Sequence, residues 1–197
     1  MRKVTLNVSD FLYKVIGDEG SLHEYNEYRR PSPTTPVSDW SACYLQCSLS
    51  HALGTLPYRW DQGYETAQLL RLSLRPDVSV AVVDDSTMAS GAASGVVKAR
   101  RCKEWLGVDT ATPLWQSLER ERVLLCMLET DGEAEVVVPH SMVSEVVAGE
   151  EVVAHFRQRG GVTSARRLPG DSGWSAFEDA DALALPDSLP RWFSRPA

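Results

Sequence analysis

An α+β domain is the fold class that this 197-residue chain predicts. Three observations lead there. Apolar and β-branched runs of strand length outnumber helical ones, they do not alternate strictly with helices, and no glycine-rich phosphate loop of the GxGxxG or GxxxxGK type is present. A doubly wound parallel sheet is therefore not expected. With 43% hydrophobic and 24% charged residues the composition is globular, and the length supports one sizeable domain.

The elements follow in order. Within residues 4–16, "FLYKVI" predicts a buried strand. The loop "YRRPSPTTPVSD" cannot be helical through Pro31, Pro33 and Pro36. "WSACYLQCS" predicts a second strand, after which Ser48 is placed to cap a short helix, "LSHALGTL", ended by Pro57. "YETAQLLRLSLRPDVSVAVVDDS" reads as strand, Pro-Asp turn and strand, its leucines alternating with Arg71 and Ser73. "STMASGAASG" is built of small residues, "VVKARRCKEWL" is a basic helix, and "TPLWQSLERERVLLCML" is an amphipathic helix or a helix running into a strand. "TDGEAEVVVPHS" is a charged turn feeding a β-branched strand, and "SEVVAGEEVVAHFRQ" predicts a turn and a last core strand. From about residue 158 the composition shifts to Gly, Pro, Ser and Asp with Trp174, Phe177, Trp192 and Phe193 interspersed. The expected organisation is a domain over 1–157 and a tail over 158–197 that packs on it or docks a partner.

A net charge of −7 argues against nucleic acid as a partner, while a local basic patch is still allowed. The cluster "KARRCK", Lys98 to Lys103, is either such a contact or one solvated helix face. No apolar run approaches the roughly 20 residues of a membrane span. The first residues lack the apolar core of a secretory signal, so the expected location is the cytoplasm or a target cell reached by a signal-independent route. Cys43, Cys47, Cys102 and Cys126 have no metal-site spacing, so reduced thiols and no metal are expected.

Chemistry centres on Glu133 and Glu135. If Glu133 still belongs to the turn, both carboxylates can be aimed at one site. A carboxylate at a strand's start can hydrogen-bond a ribose hydroxyl and stabilise positive charge developing at an anomeric carbon. The bland reading is a solvated turn after Asp131-Gly132.

"GEAEVVVPHSMVSEVV" resembles the closing motif of ADP-ribosyltransferase toxins, in which a Glu-x-Glu or Gln-x-Glu turn leads into an apolar strand, a proline and another strand. "LLRLSLRPDVSVAVVDDS" resembles that family's strand, Pro-containing turn and strand, and "YLQCSLSHAL" its Ser-Thr-Ser strand and following helix. "FLYKVI" sits where its first strand carries an "LYR" signature. The pieces keep the family's order over roughly residues 11–155.

The resemblance implies a split β-sandwich with flanking helices, NAD as substrate and a protein acceptor, with an immunity or chaperone protein as a further partner. Glu135 would bind the 2′-hydroxyl of the nicotinamide ribose and stabilise the oxocarbenium-like transition state. Glu133 would orient or deprotonate the acceptor, arginine being favoured by a Glu at that place. Ser48, the one match to Ser-Thr-Ser, would orient the catalytic carboxylate or the ribose, or simply cap its helix. Lys14 replaces the family's phosphate-binding Arg and lacks its bidentate fork; it is either a phosphate ligand or a surface lysine. Arg29 and Arg30 could supply that fork from the next loop, or be plain loop charges. Tyr13, Tyr44 and Trp60 are candidates for the nicotinamide wall, Trp60 being the least core-like of the aromatics. Cys47 with His51 could form a nucleophile and base, although a thiol between strand and helix is usually buried and inert. Two alternatives stand beside the transferase: an NAD glycohydrolase or RES-like NAD-degrading toxin, although no "GGRWN"-type segment is present, and a binding module of the same fold without catalysis.

Overall fold

The computed structural model describes residues 2–6, 10–17, 22, 42–83, 100, 103–104, 106–109, 111–112, 114–128, 133–177, 183, 185 and 189–193. Among the described residues ten strands form one sheet: β1 (Arg2–Thr5), β2 (Phe11–Gly17), β3 (Ala42–Gln46), β4 (Thr66–Leu74), β5 (Ser79–Val83), β6 (Val123–Leu128), β7 (Ala134–Pro139), β8 (Val147–Arg159), β9 (Val162–Arg167) and β10 (Ser175–Ala176). Their order is β1-β5-β6-β7-β3-β2-β4-β8-β9-β10. All pairs are antiparallel except β5 with β6. Helices α1 (Leu49–Gly54), α2 (Leu56–Asp61), α3 (Leu114–Glu121) and α4 (Val143–Val146) are few and short, as expected of an α+β chain. Among the described residues no helix is long and apolar enough to cross a membrane.

The sheet is nearly two sheets. β2 is joined to β4 over seven registered pairs, from Phe11↔Ser73 to Gly17↔Ala67, but to β3 at one, Tyr13↔Gln46. Alternation along β2 then decides what each half buries. Leu12 and Ile16 enter the largest core with Cys43, Leu45, Leu70 and Val136, drawn from both halves. Tyr13 and Val15 point the other way, into a second core covered by α1 and α2 through Leu49, Leu53 and Trp60. A third cluster lies under α3, where Leu114 and Leu118 meet Leu125 and Val137. β7 lies between β6 and β3, and its valines are buried on both faces.

Two expectations change here. Pro57 does not end the helical stretch after Ser48; it occupies the first turn of α2, where a missing N–H costs nothing. The position drawn between domain and tail, 157/158, falls inside β8, and β9 and β10 continue the same sheet. Gly160 and Gly161, both at positive φ (59° and 78°), make the tight β8–β9 turn. Further on, Leu183 packs into the α1–α2 core, and Trp192 and Phe193 into the largest one.

One glycine is sterically required. A Cβ on Gly17 would lie 2.6 Å from the Tyr64 ring. Gly17→Ala is expected to destabilise the fold by about 1–3 kcal/mol by overpacking, read as a lower urea midpoint; an unchanged midpoint would mean that Tyr64 can swing away freely.

Candidate active site

The β3–β7 ladder builds the site. Its register sets Gln46 opposite Glu135, and side chains facing each other across an antiparallel pair share a face. The row extends across four strands as Tyr13↔Gln46↔Glu135↔Met127. Two residues further along each strand come Ser48 and Glu133, on the same face because extended chains repeat every two residues. The Glu133–Glu135 pair therefore needs no special bend to converge. The Cys47 N–H, donating to the Ala134 carbonyl at 3.0 Å, holds the ladder between the two rungs.

Each carboxylate has its own donor. Gln46 Nε2 donates to Glu135 Oε1 at 3.0 Å, and the Ser48 hydroxyl donates to Glu133 Oε2 at 2.8 Å. Ser48 also caps α1, its Oγ accepting the His51 N–H at 3.1 Å, so the expected helix cap is present, while the carboxylate it holds is Glu133 and not Glu135. The cap fixes His51 one turn above the ladder, with Nε2 3.9 Å from Glu135 Oε1. His51 and Glu135 are 17% and 15% exposed, so the pair lies at the surface end of the ladder, partly shielded from water. Two buried polar atoms here have no hydrogen-bond partner, Gln46 Oε1 and His51 Nδ1. Such atoms are uncommon in folded chains.

The other candidates are distributed as follows. Tyr44, two residues before Gln46, is half-buried on the carboxylate face. Lys14 is 3% exposed and stands opposite Leu70 on the face of the largest core, away from the side to which Tyr13, Gln46 and Glu135 point. Its Nζ donates to the Tyr44 carbonyl at 2.8 Å, and Gln46 Nε2 reaches the same oxygen at 3.3 Å. Past the Tyr13↔Gln46 pair β2 and β3 diverge, and the Lys14 ammonium bridges the gap. Lys14 thus touches the site through Tyr44 and Gln46, in place of the direct phosphate contact expected of it. Tyr13 is 2% exposed and belongs to the α1–α2 core. Trp60, expected to be the least core-like aromatic, is 5% exposed in that core, with Nε1 donating to Thr163 Oγ1 at 3.1 Å. It is buried because Pro57 begins a helix and carries Trp60 onto the sheet. Arg29 and Arg30 lie outside the described residues, as does most of the basic cluster.

Gln46 has no expected role in the site, and His51 is expected only as a base for Cys47, not as the neighbour of Glu135. The signal for Gln46 was its two-residue spacing from Ser48, which repeats the spacing of Glu133 and Glu135 on the opposing strand. His51 required the helix cap.

Cys47 is not placed beside His51 as a nucleophile would be. It is fully buried on the opposite face of β3, where a hydrogen bond with Cys126, then desolvation, then the charges of Cys126, Glu135 and Glu133 all push its thiol well above the usual range. In native protein Cys47 is expected to resist alkylation at pH 8 and to react only on unfolding, as mass spectrometry of the labelled peptide would register; rapid native labelling would contradict this burial. Among the described residues no group of three or more His, Cys, Asp or Glu is placed to hold a metal ion.

No protein-family model matches the chain, and no curated protein matches it.

Proposed function

We propose that the chain cleaves the N-glycosidic bond of NAD and transfers ADP-ribose to a protein acceptor, on an ADP-ribosyltransferase-like split β-sandwich. The observation that carries this reading is the pair of consecutive rungs, Gln46–Glu135 and Ser48–Glu133, which hold two carboxylates side by side at the exposed end of a ladder. The division of the sheet at Tyr13↔Gln46 supports the fold, and the motif order along the chain supports the substrate.

Glu135, oriented by Gln46, accepts a hydrogen bond from the 2′-hydroxyl of the nicotinamide ribose. It stabilises the positive charge that grows at C1′ as the C1′–N bond breaks. Nicotinamide leaves with the bonding electron pair as a neutral molecule. The acceptor nucleophile, arginine being favoured, adds to C1′ and gives its proton to Glu133, which Ser48 holds in position. Tyr44 offers a flat wall to the nicotinamide ring.

One observation favours a second reading, the non-catalytic binding module. Lys14, the cation expected to grip the dinucleotide phosphates, is turned to the core. NAD labelled in the adenylate half and mixed with cell lysate separates the cases: labelled protein bands mean transfer, and free nicotinamide without bands means hydrolysis. Neither product, with no NAD binding by calorimetry, establishes the module.

A further inference from the structure

The β8–β9 hairpin carries cations that no acid among the described residues answers. Residues 152–170 contain no acid, yet they hold Arg157, Arg159, Arg166 and Arg167 in a chain of net charge −7. Among the described residues none of these four guanidiniums has an ion-pair partner. Arg157 and Arg167 lie against the Trp174 ring, their Cζ atoms 4.2 and 5.3 Å from its centroid. Nε and Nη1 of Arg166 are buried without a hydrogen-bond partner. At the hairpin tip Val162 is 67% exposed, an unusual place for a large aliphatic side chain.

The hairpin is also held rigidly. Its turn is the Gly160–Gly161 pair at positive φ. Trp60 Nε1 ties Thr163 to α2, and Gln158 bonds the segment before β4, its Nε2 donating to the Tyr64 carbonyl at 2.8 Å and its N–H to the Glu65 carbonyl at 3.1 Å. A stiff arm loses little freedom on binding.

We infer that this hairpin is a docking surface for a protein partner presenting carboxylates around an apolar spot. Guanidinium forks match carboxylates bidentately, and arginine and tryptophan are the residues most enriched where binding energy concentrates. Val162 supplies the apolar contact at the tip beside Arg159, and Arg157 and Arg167 supply cations further along the hairpin; Arg166, registered with the core residue Phe156, lies on the other face. A nucleic-acid strand fits this surface less well. The Trp174 ring is already engaged by two guanidiniums, not open to a base, and the acidic remainder of the chain repels a long polyanion. The inference is independent of the NAD reading, because its binding is measured without NAD.

The test is fluorescence anisotropy of the full chain with a labelled peptide of alternating Glu and Ser around one central Leu. Controls are the same peptide with Lys for Glu and an oligothymidylate of equal net charge. The acidic peptide is expected to bind, the lysine version not, and the oligothymidylate more weakly. Raising NaCl from about 50 to about 300 mM should weaken the complex several-fold. The double change Arg157→Glu with Arg167→Glu is expected to weaken it about tenfold or more. Should that variant melt early, Arg159→Glu with Val162→Ser, both at the exposed hairpin end, makes the same test. Absence of acidic-peptide binding, affinity unmoved by the reversals in folded protein, or tighter binding of oligothymidylate would each overturn the inference.

Discussion

Glu135→Gln is expected to lower NAD cleavage by roughly 10²- to 10³-fold, the scale seen when one preorganised electrostatic group is removed from a transition state. The exchange keeps the side chain's shape, and the new amide can still present its oxygen to Gln46 Nε2, which lies 3.0 Å from the present carboxylate oxygen. Melting should therefore stay within about 2–4 °C of the parent. The loss belongs in kcat, because the interaction strengthens only as charge develops at C1′. Glu133→Gln makes the contrast: it should reduce label in acceptor protein more than it reduces release of nicotinamide. Unimpaired NAD turnover by folded Glu135→Gln protein would remove Glu135 from the mechanism.

Lys14→Ala is expected to act on the fold before it acts on substrate. It removes a side chain that is 3% exposed and that donates a hydrogen bond to the Tyr44 carbonyl at the point where β2 and β3 part. Cavity formation and a weakened buried carbonyl together cost about 3 kcal/mol. For a chain of this size that is a fall in melting temperature of about 6–12 °C. Gln46 shares that carbonyl with Lys14 and orients Glu135, so kcat should fall several-fold while KM for NAD barely moves. A phosphate ligand would do the reverse, raising KM at nearly constant stability. Lys14→Met keeps most of the volume and should recover much of the stability, which separates packing from charge.

These expectations differ from those the residues alone suggest, and the reason is physical. Local sequence signals suffice where the chemistry is local. Ser48 before an apolar helical stretch is a cap, Pro76-Asp77 between a leucine-rich run and a valine-rich one is a turn, and the valines after Glu135 are a buried strand. Lys14 fails that approach because its partner, the Tyr44 carbonyl, is exposed only by the divergence of two strands 30 residues apart. Trp60 fails it because a proline can begin a helix as readily as end one. In β9, "VTSARR", the arginines and small residues obscure the two-residue alternation, so a hairpin strand reads as tail. The carboxylate rungs lie between these cases. Their spacing was visible on each strand, but the register that faces Gln46 with Glu135 is a property of the assembled sheet.

The antiparallel β3–β7 ladder has a further consequence for how the molecule comes into being. Its two rungs connect residues 89 and 85 positions apart, whereas β8 and β9 are joined by a two-residue turn. Closing so long a loop must be compensated by contacts that exist only once β7 has slotted between β6 and β3. The carboxylate cluster thus depends on long-range strand pairing, as the β4–β8 ladder does. A polypeptide still emerging from the ribosome, with β7 not yet made, holds Gln46 and Ser48 but neither Glu133 nor Glu135 for them to bind, so the centre cannot assemble before that strand has been synthesised.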